Sequence, residues 1–293
     1  MKTKSNALRE IIGNARPLPE ASRARAAYQG IKGANSHEAA GRLFPESLLV
    51  PYKTFEDVFK AVERGECDYG VLPVENSTAG SVSAVYDLIL RYRFYIVGAL
   101  DMKIDYCLAG LRQSELVDIE KVISHPQALS QCEGYTTKKG YETLSCSNTA
   151  VAALETAREK RLNLAAICSR RAAEEYGLKA LDYHLQDNPY NTTRFIVISR
   201  TLYISDGANK VSLCFSLPHV TGALFHMLGR FDALGLNLTK IESRPVSGKD
   251  FEYLFYLDFS GSVGSEGVTE LICRLSDEMP EFSFLGNYTE REE

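Results

Sequence analysis

The sequence predicts an α/β protein: a two-lobed α/β domain followed by a small ferredoxin-like βαββαβ domain. Three observations carry this. Between Arg25 and Arg200, short β-branched runs alternate with helically spaced apolar residues, the pattern of α/β folds built on parallel strands. The chain completes one such set by about Leu100, builds a second, and returns near Asn188, which suggests two lobes around a cleft. Beyond a linker at 201–210 the order changes to βαββαβ, a compact sandwich.

Each element has a local reason. Ala26–Tyr28 is apolar and opens a strand, and Gly30–Gly33 supplies a turn. A helix starts at Ser36, read as its N-cap. Phe55, Val58, Phe59 and Val62 have helical spacing, 69–74 is a strand, 82–90 a helix and 95–100 a strand. In the second lobe, 121–124 is a strand ending at His125-Pro126, and a helix follows over 128–135. Then come a strand at 143–145, an alanine-rich helix at 149–160, a strand at 164–167, and a helix at 169–176 with Gly177 as its C′ residue. Phe195–Ile198 is a β-branched, buried strand. In the last domain, strands at 211–217, 238–241, 253–259 and 282–285 alternate with helices at 221–234 and 268–279. The resulting domains are an N-terminal extension at 1–24, an α/β domain at 25–200, and a C-terminal domain at 211–290. The first lobe takes about 25–100 and 188–200, and the second about 101–187.

Composition narrows the class. At 293 residues with 45% hydrophobic content, the chain has apolar material for about two domains. A net charge of −5 gives no basic surface for nucleic acid. No apolar run reaches the roughly 20 residues that cross a bilayer, so no membrane partner is expected. The first twenty residues lack the apolar core of a secretion signal and read as a short helix or a frayed tail. Seven scattered cysteines without a CxxC pair fit a reduced, cytoplasmic protein. Five histidines that do not cluster with them argue against zinc. No metal is expected.

Four strand–helix junctions share one chemistry. They are Lys32–Ser36, Glu75–Ser81 (with Asn76 and Ser77), Ser124–Gln127 with Gln131 one turn on, and Ser145–Thr149. Such junctions bind ligands in open α/β sheets, and helix N-termini accept anions. A single one of them is equally an ordinary capped turn. Four could ring a cleft with partial positive charge and no basic surface. The loop Asn188–Thr192 runs into Thr193-Arg194-Phe195. Read as a loop entering a strand, it delivers a hydroxyl that donates to a leaving oxygen and a guanidinium that forks onto a carboxylate. His125 suits acid–base work near neutral pH or fixes its turn, and Glu75 is an acid or a cap. In the last domain Gly222 opens a helix where a ligand can approach closely. Glu242 and Arg244 can meet an ammonium and a carboxylate, or form a surface ion pair of small value.

These residues carry a resemblance. GIKGANSHEAA (30–40), VLPVENSTAGSV (71–82), SHPQALSQC (124–132), SNTAVAA (147–153), DNPYNTTRF (187–195), GALF (222–225) and NLTKIESRP (237–245) occur in this order. The chain after about Arg25 resembles monofunctional prephenate dehydratases with a C-terminal ACT regulatory domain. The resemblance implies a catalytic domain of two lobes like type II periplasmic binding proteins, with the active site between them. It also implies an ACT domain that binds phenylalanine at a dimer interface and inhibits. Carried over by motif, the catalytic positions are Asn76, Ser124, Gln131 and Thr193, with Arg194 on the substrate. Glu75 is added as a proton source, and Ser36, Ser77, Thr149 and Phe195 as substrate contacts. Effector positions are Gly222, Ala223, Leu224, Asn237, Leu238, Glu242, Ser243 and Arg244. Two residues depart from the family pattern: Asn35 replaces an aromatic before Ser36, and Phe225 replaces the valine or tyrosine after Gly-Ala-Leu. The two dozen residues before Arg25 are too few for a further catalytic domain.

The implied reaction turns prephenate into phenylpyruvate, carbon dioxide and water. Aromatisation drives it, so no cofactor is expected. A cation on the departing ring carboxylate would hold the ground state better than the transition state. The expectation is therefore that Arg194 grips the pyruvyl carboxylate, and that Asn76, Ser124 and Gln131 meet the ring carboxylate as neutral donors. Thr193 donates to the leaving hydroxyl, with Glu75 or His125 behind it. The protein is expected to be a homodimer or homotetramer. The alternatives are an arogenate dehydratase, a non-catalytic aromatic-acid sensor with an ACT domain, and a secreted solute-binding protein.

Overall fold

The computed structural model describes residues 3–19, 24–245 and 253–292. Residues 20–23, which the sequence assigns to the extension, lie outside them. The chain forms two compact units. One takes 21–85, 100–195 and 292–293; the other takes 1–20, 86–99 and 196–291. Packing thus draws 86–99 and 196–200 away from the α/β domain of the sequence reading and places them with the C-terminal elements.

The first unit holds two sheets. In one, Leu48–Tyr52, Arg25–Gln29 and Tyr69–Asn76 lie side by side, followed by residues 192–195 of the strand Thr192–Ser199 and 100–103 of the strand Tyr95–Lys103. Arg25–Gln29 is parallel to both of its neighbours. The helices Asn35–Leu43 and Phe55–Glu63 pack on this sheet. A full capping box starts the second: Thr54 accepts from the Asp57 N–H and Asp57 accepts from the Thr54 N–H.

The second sheet runs Lys179–Tyr183, Cys107–Gly110, Leu164–Cys168, Lys121–Ser124, Glu142–Ser145. Its last three strands are parallel, but Cys107–Gly110 is antiparallel to both of its neighbours. The all-parallel expectation therefore fails in half of this lobe. The first two strands, and Leu48–Tyr52 in the other lobe, were not foreseen. Leu48–Tyr52 carries Pro51, a residue that demotes a strand pattern to an edge, and that strand does lie at the edge. The alanine-rich helix Thr149–Glu159 buries Ala150, Ala152 and Ala153 against Ala109 and Ala166. Small side chains on both sides let helix and sheet approach closely. The expected helix over 128–135 is two helices, Pro126–Gln131 and Glu133–Lys139, broken at Cys132.

The second unit contains the foreseen βαββαβ order. The four strands lie as Leu238–Pro245, Tyr253–Ser260, Lys210–Ser216, Phe282–Tyr288, all antiparallel. Ala223–Asp232 and Glu266–Glu278 supply Met227, Phe231, Ile272 and Leu275 to a core shared with Leu213, Phe215, Leu257 and Phe259. The N-terminal extension forms the helix Lys4–Gly13, which packs against Glu266–Glu278. Arg9 pairs with Glu270 at 2.7 Å.

At one rim of the first unit the two lobes meet directly. Gly33 has φ +82°, and a Cβ there would stand 2.9 Å from Ala172 Cα, so only glycine fits without displacement. The Tyr176 hydroxyl donates to the Lys32 carbonyl at 2.8 Å. Behind this turn the Gly33 N–H donates to Nδ1 of buried His37 at 3.1 Å. Burial, with Arg171 adding to it, holds His37 below its ordinary pKa of 6.5. A proton on His37 therefore favours the unfolded chain. The stability His37 contributes is complete above about pH 6.5 and is lost as pH falls from there through the folded value. The urea midpoint should drop between pH 7.5 and 5.5, and His37→Gln should flatten that drop; equal pH slopes in both proteins would remove His37 as its source. The chain contains no tryptophan, so far-ultraviolet circular dichroism is the natural readout.

Candidate active site

A cavity of about 350 Å³ lies between the two lobes of the first unit. From the first lobe come Gln29 at a strand end, Asn35 and Ser36 in the first turn of a helix, and Asn76, Thr193 and Phe195 on neighbouring strands. From the second come Tyr106, His125 and Gln127, and the junction Ser147–Thr149. All four junctions singled out in the sequence reach this cavity. Among the described residues, no lysine, arginine, aspartate or glutamate lines it. Its walls are amides, hydroxyls, one imidazole and apolar surface.

The geometry centres on Asn76. Its Oδ1 accepts the N–H groups of Thr78 and Ala79 at 3.1 and 2.9 Å, an Asx-type turn that fixes the orientation of the amide. Nδ2 therefore faces Asn191 Oδ1 at 2.8 Å and Thr193 Oγ1 at 2.9 Å. Asn191 Nδ2 in turn donates to Gln131 Oε1 at 3.1 Å. This amide chain delivers an N–H to the Thr193 oxygen. The Thr193 hydroxyl, with its oxygen already accepting, keeps its own proton for another acceptor.

Thr193, Asn76, Ser36, Thr149 and Phe195 are brought together as expected. Five other expected residues are not. Successive residues of a strand point to opposite faces, and Thr192–Ser199 is a strand through Thr193-Arg194-Phe195. Thr193 and Phe195 face the cavity, so Arg194 faces away. Its Nε and Nη2 fork onto Asp101 at 2.8 and 2.9 Å, and Nη1 lies 3.6 Å from Glu75. Glu75, next to Asn76 on its own strand, is on that far side too. Neither Arg194 as a substrate clamp nor Glu75 as a proton source fits this geometry. Ser124 is fully buried and donates to the Ile167 carbonyl at 2.6 Å, which ties two strands together. Gln131 holds Asn191 and does not line the cavity. Ser77 Oγ donates to the Tyr190 carbonyl and accepts the Thr192 N–H, latching the loop in front of the strand. Ser36 is not the N-cap either; Ala34 holds that position, and Ser36 is left to face the cavity.

His125 fixes its turn and also reaches the cavity. Its Nδ1 accepts the Gln127 N–H at 3.2 Å, capping a helix, and the ring lines the cavity. With Nδ1 accepting, a neutral ring carries its proton on Nε2. Gln29, Tyr106 and Phe55 also line the cavity and were missed. Only the position of Gln29 at a strand end signalled it. Tyr106 is buried, which raises its phenol above the ordinary value.

The expected effector residues lie in the second unit, and one chain does not gather them. Gly222 has φ +81° and starts Ala223–Asp232. Ala223 and Leu224 line a cavity of about 570 Å³ with Tyr253 and Phe255. Asn237, Leu238, Glu242, Ser243 and Arg244 do not line it; all but Asn237 lie on the edge strand Leu238–Pro245. Glu242 sits 3.3 Å from Lys240, and Arg244 3.0 Å from Asp87.

A neutral polar cavity between two α/β lobes, followed by a ferredoxin-like domain, defines a two-lobed small-molecule-binding class. The sequence profile of the prephenate dehydratase family matches residues 26–202, and the chain belongs to that family. It is 40% identical to the chloroplastic arogenate dehydratase/prephenate dehydratase 2 of Arabidopsis thaliana, over 97% of this chain and 76% of that protein. Among solved structures, the prephenate dehydratase of Arthrobacter aurescens in complex with L-Phe superposes with a TM-score of 0.82 at 30% identity, over 90% of this chain and 89% of that one. GqqA, a quorum-quenching acylase, superposes with a TM-score of 0.83 at 30% identity, over 91% and 98% of the two chains. The plant relative corrects the cytoplasmic location, since it is a chloroplast protein. Scattered free thiols are equally at home in any reducing compartment, so they could not decide the point.

The Arg194–Asp101 pair is about one-fifth exposed. Arg194→Ala leaves the Asp101 carboxylate without its guanidinium, and Asp101→Ala takes the fork from Arg194 and leaves it beside Glu75, so each should lower stability by roughly 1–3 kcal/mol. Urea titrations of the two single variants and the double variant check this; additive losses would mean that the pair is not coupled.

Proposed function

We propose that this chain catalyses the decarboxylating dehydration of prephenate to phenylpyruvate, regulated by phenylalanine. The observation that carries the reading is the Asn76 amide donating to Thr193 Oγ1, which leaves the threonine proton available to a ligand in the cavity. In the reaction the bond from the ring to its carboxylate breaks and carbon dioxide leaves. That electron pair enters the ring, and the bond to the hydroxyl on the opposite carbon breaks. The departing oxygen takes a proton and leaves as water. A donor aimed at developing negative charge on that oxygen is worth about 10²–10³ in rate. Thr193 serves as this hydrogen-bond donor, the Nε2–H of His125 is a second neutral donor on the second-lobe wall, and the proton that completes the water comes from solvent.

The cation-free wall suits the other half of the chemistry. The ring carboxylate loses its charge in the transition state, so a strong ion pair there would slow the reaction. The first turns at Asn35-Ser36 and Thr149 receive the carboxylates instead, each helix start carrying about half a positive charge. Arogenate, with an ammonium in place of the side-chain keto group, is the second reading, favoured by the double name of the Arabidopsis relative. Acyl transfer needs a hydroxyl bonded to a base, and an amide N–H on Thr193 Oγ1 cannot take its proton. Turnover of either substrate would exclude a non-catalytic sensor.

Assays with prephenate and arogenate side by side, giving kcat/KM for each, decide the substrate. Thr193→Ala should lower kcat by about 10²-fold or more, Thr193→Ser should recover most of it, and Asn76→Ala combined with Thr193→Ala should cost no more than Thr193→Ala alone. Near-normal turnover in Thr193→Ala would remove the threonine from the chemistry.

Regulation by phenylalanine is supported by the L-Phe complex of the Arthrobacter protein. Effector residues spread over a helix start and an edge strand support a site completed by a second copy, in a dimer or tetramer. Arg244→Ala should raise the phenylalanine concentration for half-maximal effect by about tenfold, a coupling change of about 1.4 kcal/mol. An unchanged titration curve would discard this site.

A further inference from the structure

The reaction proposed above takes a substrate with two carboxylates, yet the cavity offers no cation and the whole chain carries net charge −5. The missing charge stands next door. A second cavity of about 620 Å³ in the same unit shares Asn35 and Ile104 with the first and is lined by Arg42, Lys103, Arg170 and Arg171. Arg42 is neutralised locally by Glu38 at 2.7 Å, and the Asp105 carboxylate lies 2.9 Å from the His184 ring. Arg170 and Arg171 are different. Arg170 stacks over the Tyr183 ring at 4.9 Å, and neither arginine makes an ion pair among the described residues. Both occupy the first turn of the helix Arg170–Glu175. Acidic residues are favoured there and cations oppose the helix dipole. A local rule broken twice in succession beside a ligand cavity marks a functional requirement rather than a folding one.

We propose that Arg170 and Arg171 form a cationic vestibule that draws the dianionic substrate to the neutral cavity beside it. This deepens the prephenate reading and rests on it. A charged antechamber raises the local concentration of an anion and its encounter rate. Because the arginines stand outside the reacting cavity, they do so without stabilising the carboxylate that must depart. The vestibule also discriminates by charge: prephenate bears two net negative charges and arogenate one, so the attraction is stronger for prephenate.

The test is steady-state kinetics on the full-length protein against sodium chloride, with both substrates. In the wild type, kcat/KM for prephenate should fall with salt more steeply than that for arogenate. The variant Arg170→Glu/Arg171→Glu should lose about tenfold in kcat/KM for prephenate at low salt with kcat retained, and the gap should close near 0.5 M salt, where the screening length is only about 4 Å. Arg170→Lys/Arg171→Lys keeps the charge and should behave as wild type, which separates charge from structure; a loss in this variant equal to that of the glutamate variant would overturn the proposal. Equal kcat/KM and equal salt dependence in wild type and the glutamate variant would overturn it too. A wild type inactive on both substrates would instead bring down the reaction on which it rests.

Discussion

The hydrogen bond from the Asn76 amide to Thr193 Oγ1 is the interaction on which the site depends. It works because both ends are fixed by the backbone. A turn whose two N–H groups occupy Oδ1 sets the amide, and a strand whose alternation aims odd residues into the cavity sets the hydroxyl. Asn191 and Gln131 extend the same chain into the second lobe. The two crossing segments also touch there, with the Ile104 N–H donating to the Asn191 carbonyl at 2.8 Å. The Thr193 hydroxyl is therefore held by a chain of groups from both lobes.

Charge is arranged around this centre by exclusion. The strands that carry Thr193 and Asn76 also carry Arg194 and Glu75, one residue away in each case. Strand geometry sends these to the opposite face, where Asp101 completes an ion-paired cluster. One pair of strands thus presents a neutral face to the cavity and a charged face elsewhere. The arginine of the Thr-Arg-Phe motif belongs to the scaffold, since it locks the strands whose other face lines the cavity.

Much of this was legible in the residues. Helical spacing and β-branched runs located most elements, and the βαββαβ order of the last domain followed directly. The recurrence of amide- and hydroxyl-rich junctions pointed to the cavity, and all four reached it. The failures have physical causes. Reading Asn188–Arg194 as loop and starting the strand at Phe195 hid the alternation that separates Thr193 from Arg194. Ser124 and Gln131 lie in the right segment, but which way a side chain turns at the end of a strand or helix depends on neighbours such as Ile167 and Asn191 that are distant in sequence. The antiparallel strands Cys107–Gly110 and Lys179–Tyr183 are short and lack a strong period. The lowered pKa of His37 likewise takes part of its cause from Arg171, on a helix of the other lobe.

The contact of Gly33 with Ala172 has a mechanical consequence. Backbone meets backbone there with no room for a side chain, and the Tyr176 hydroxyl clasps the adjacent carbonyl. Such a junction acts as a fulcrum: the halves cannot slide past each other at that rim without losing both contacts. Any change in the width of the cavity that keeps both contacts must therefore turn about the Gly33 rim and be largest at the walls farthest from it.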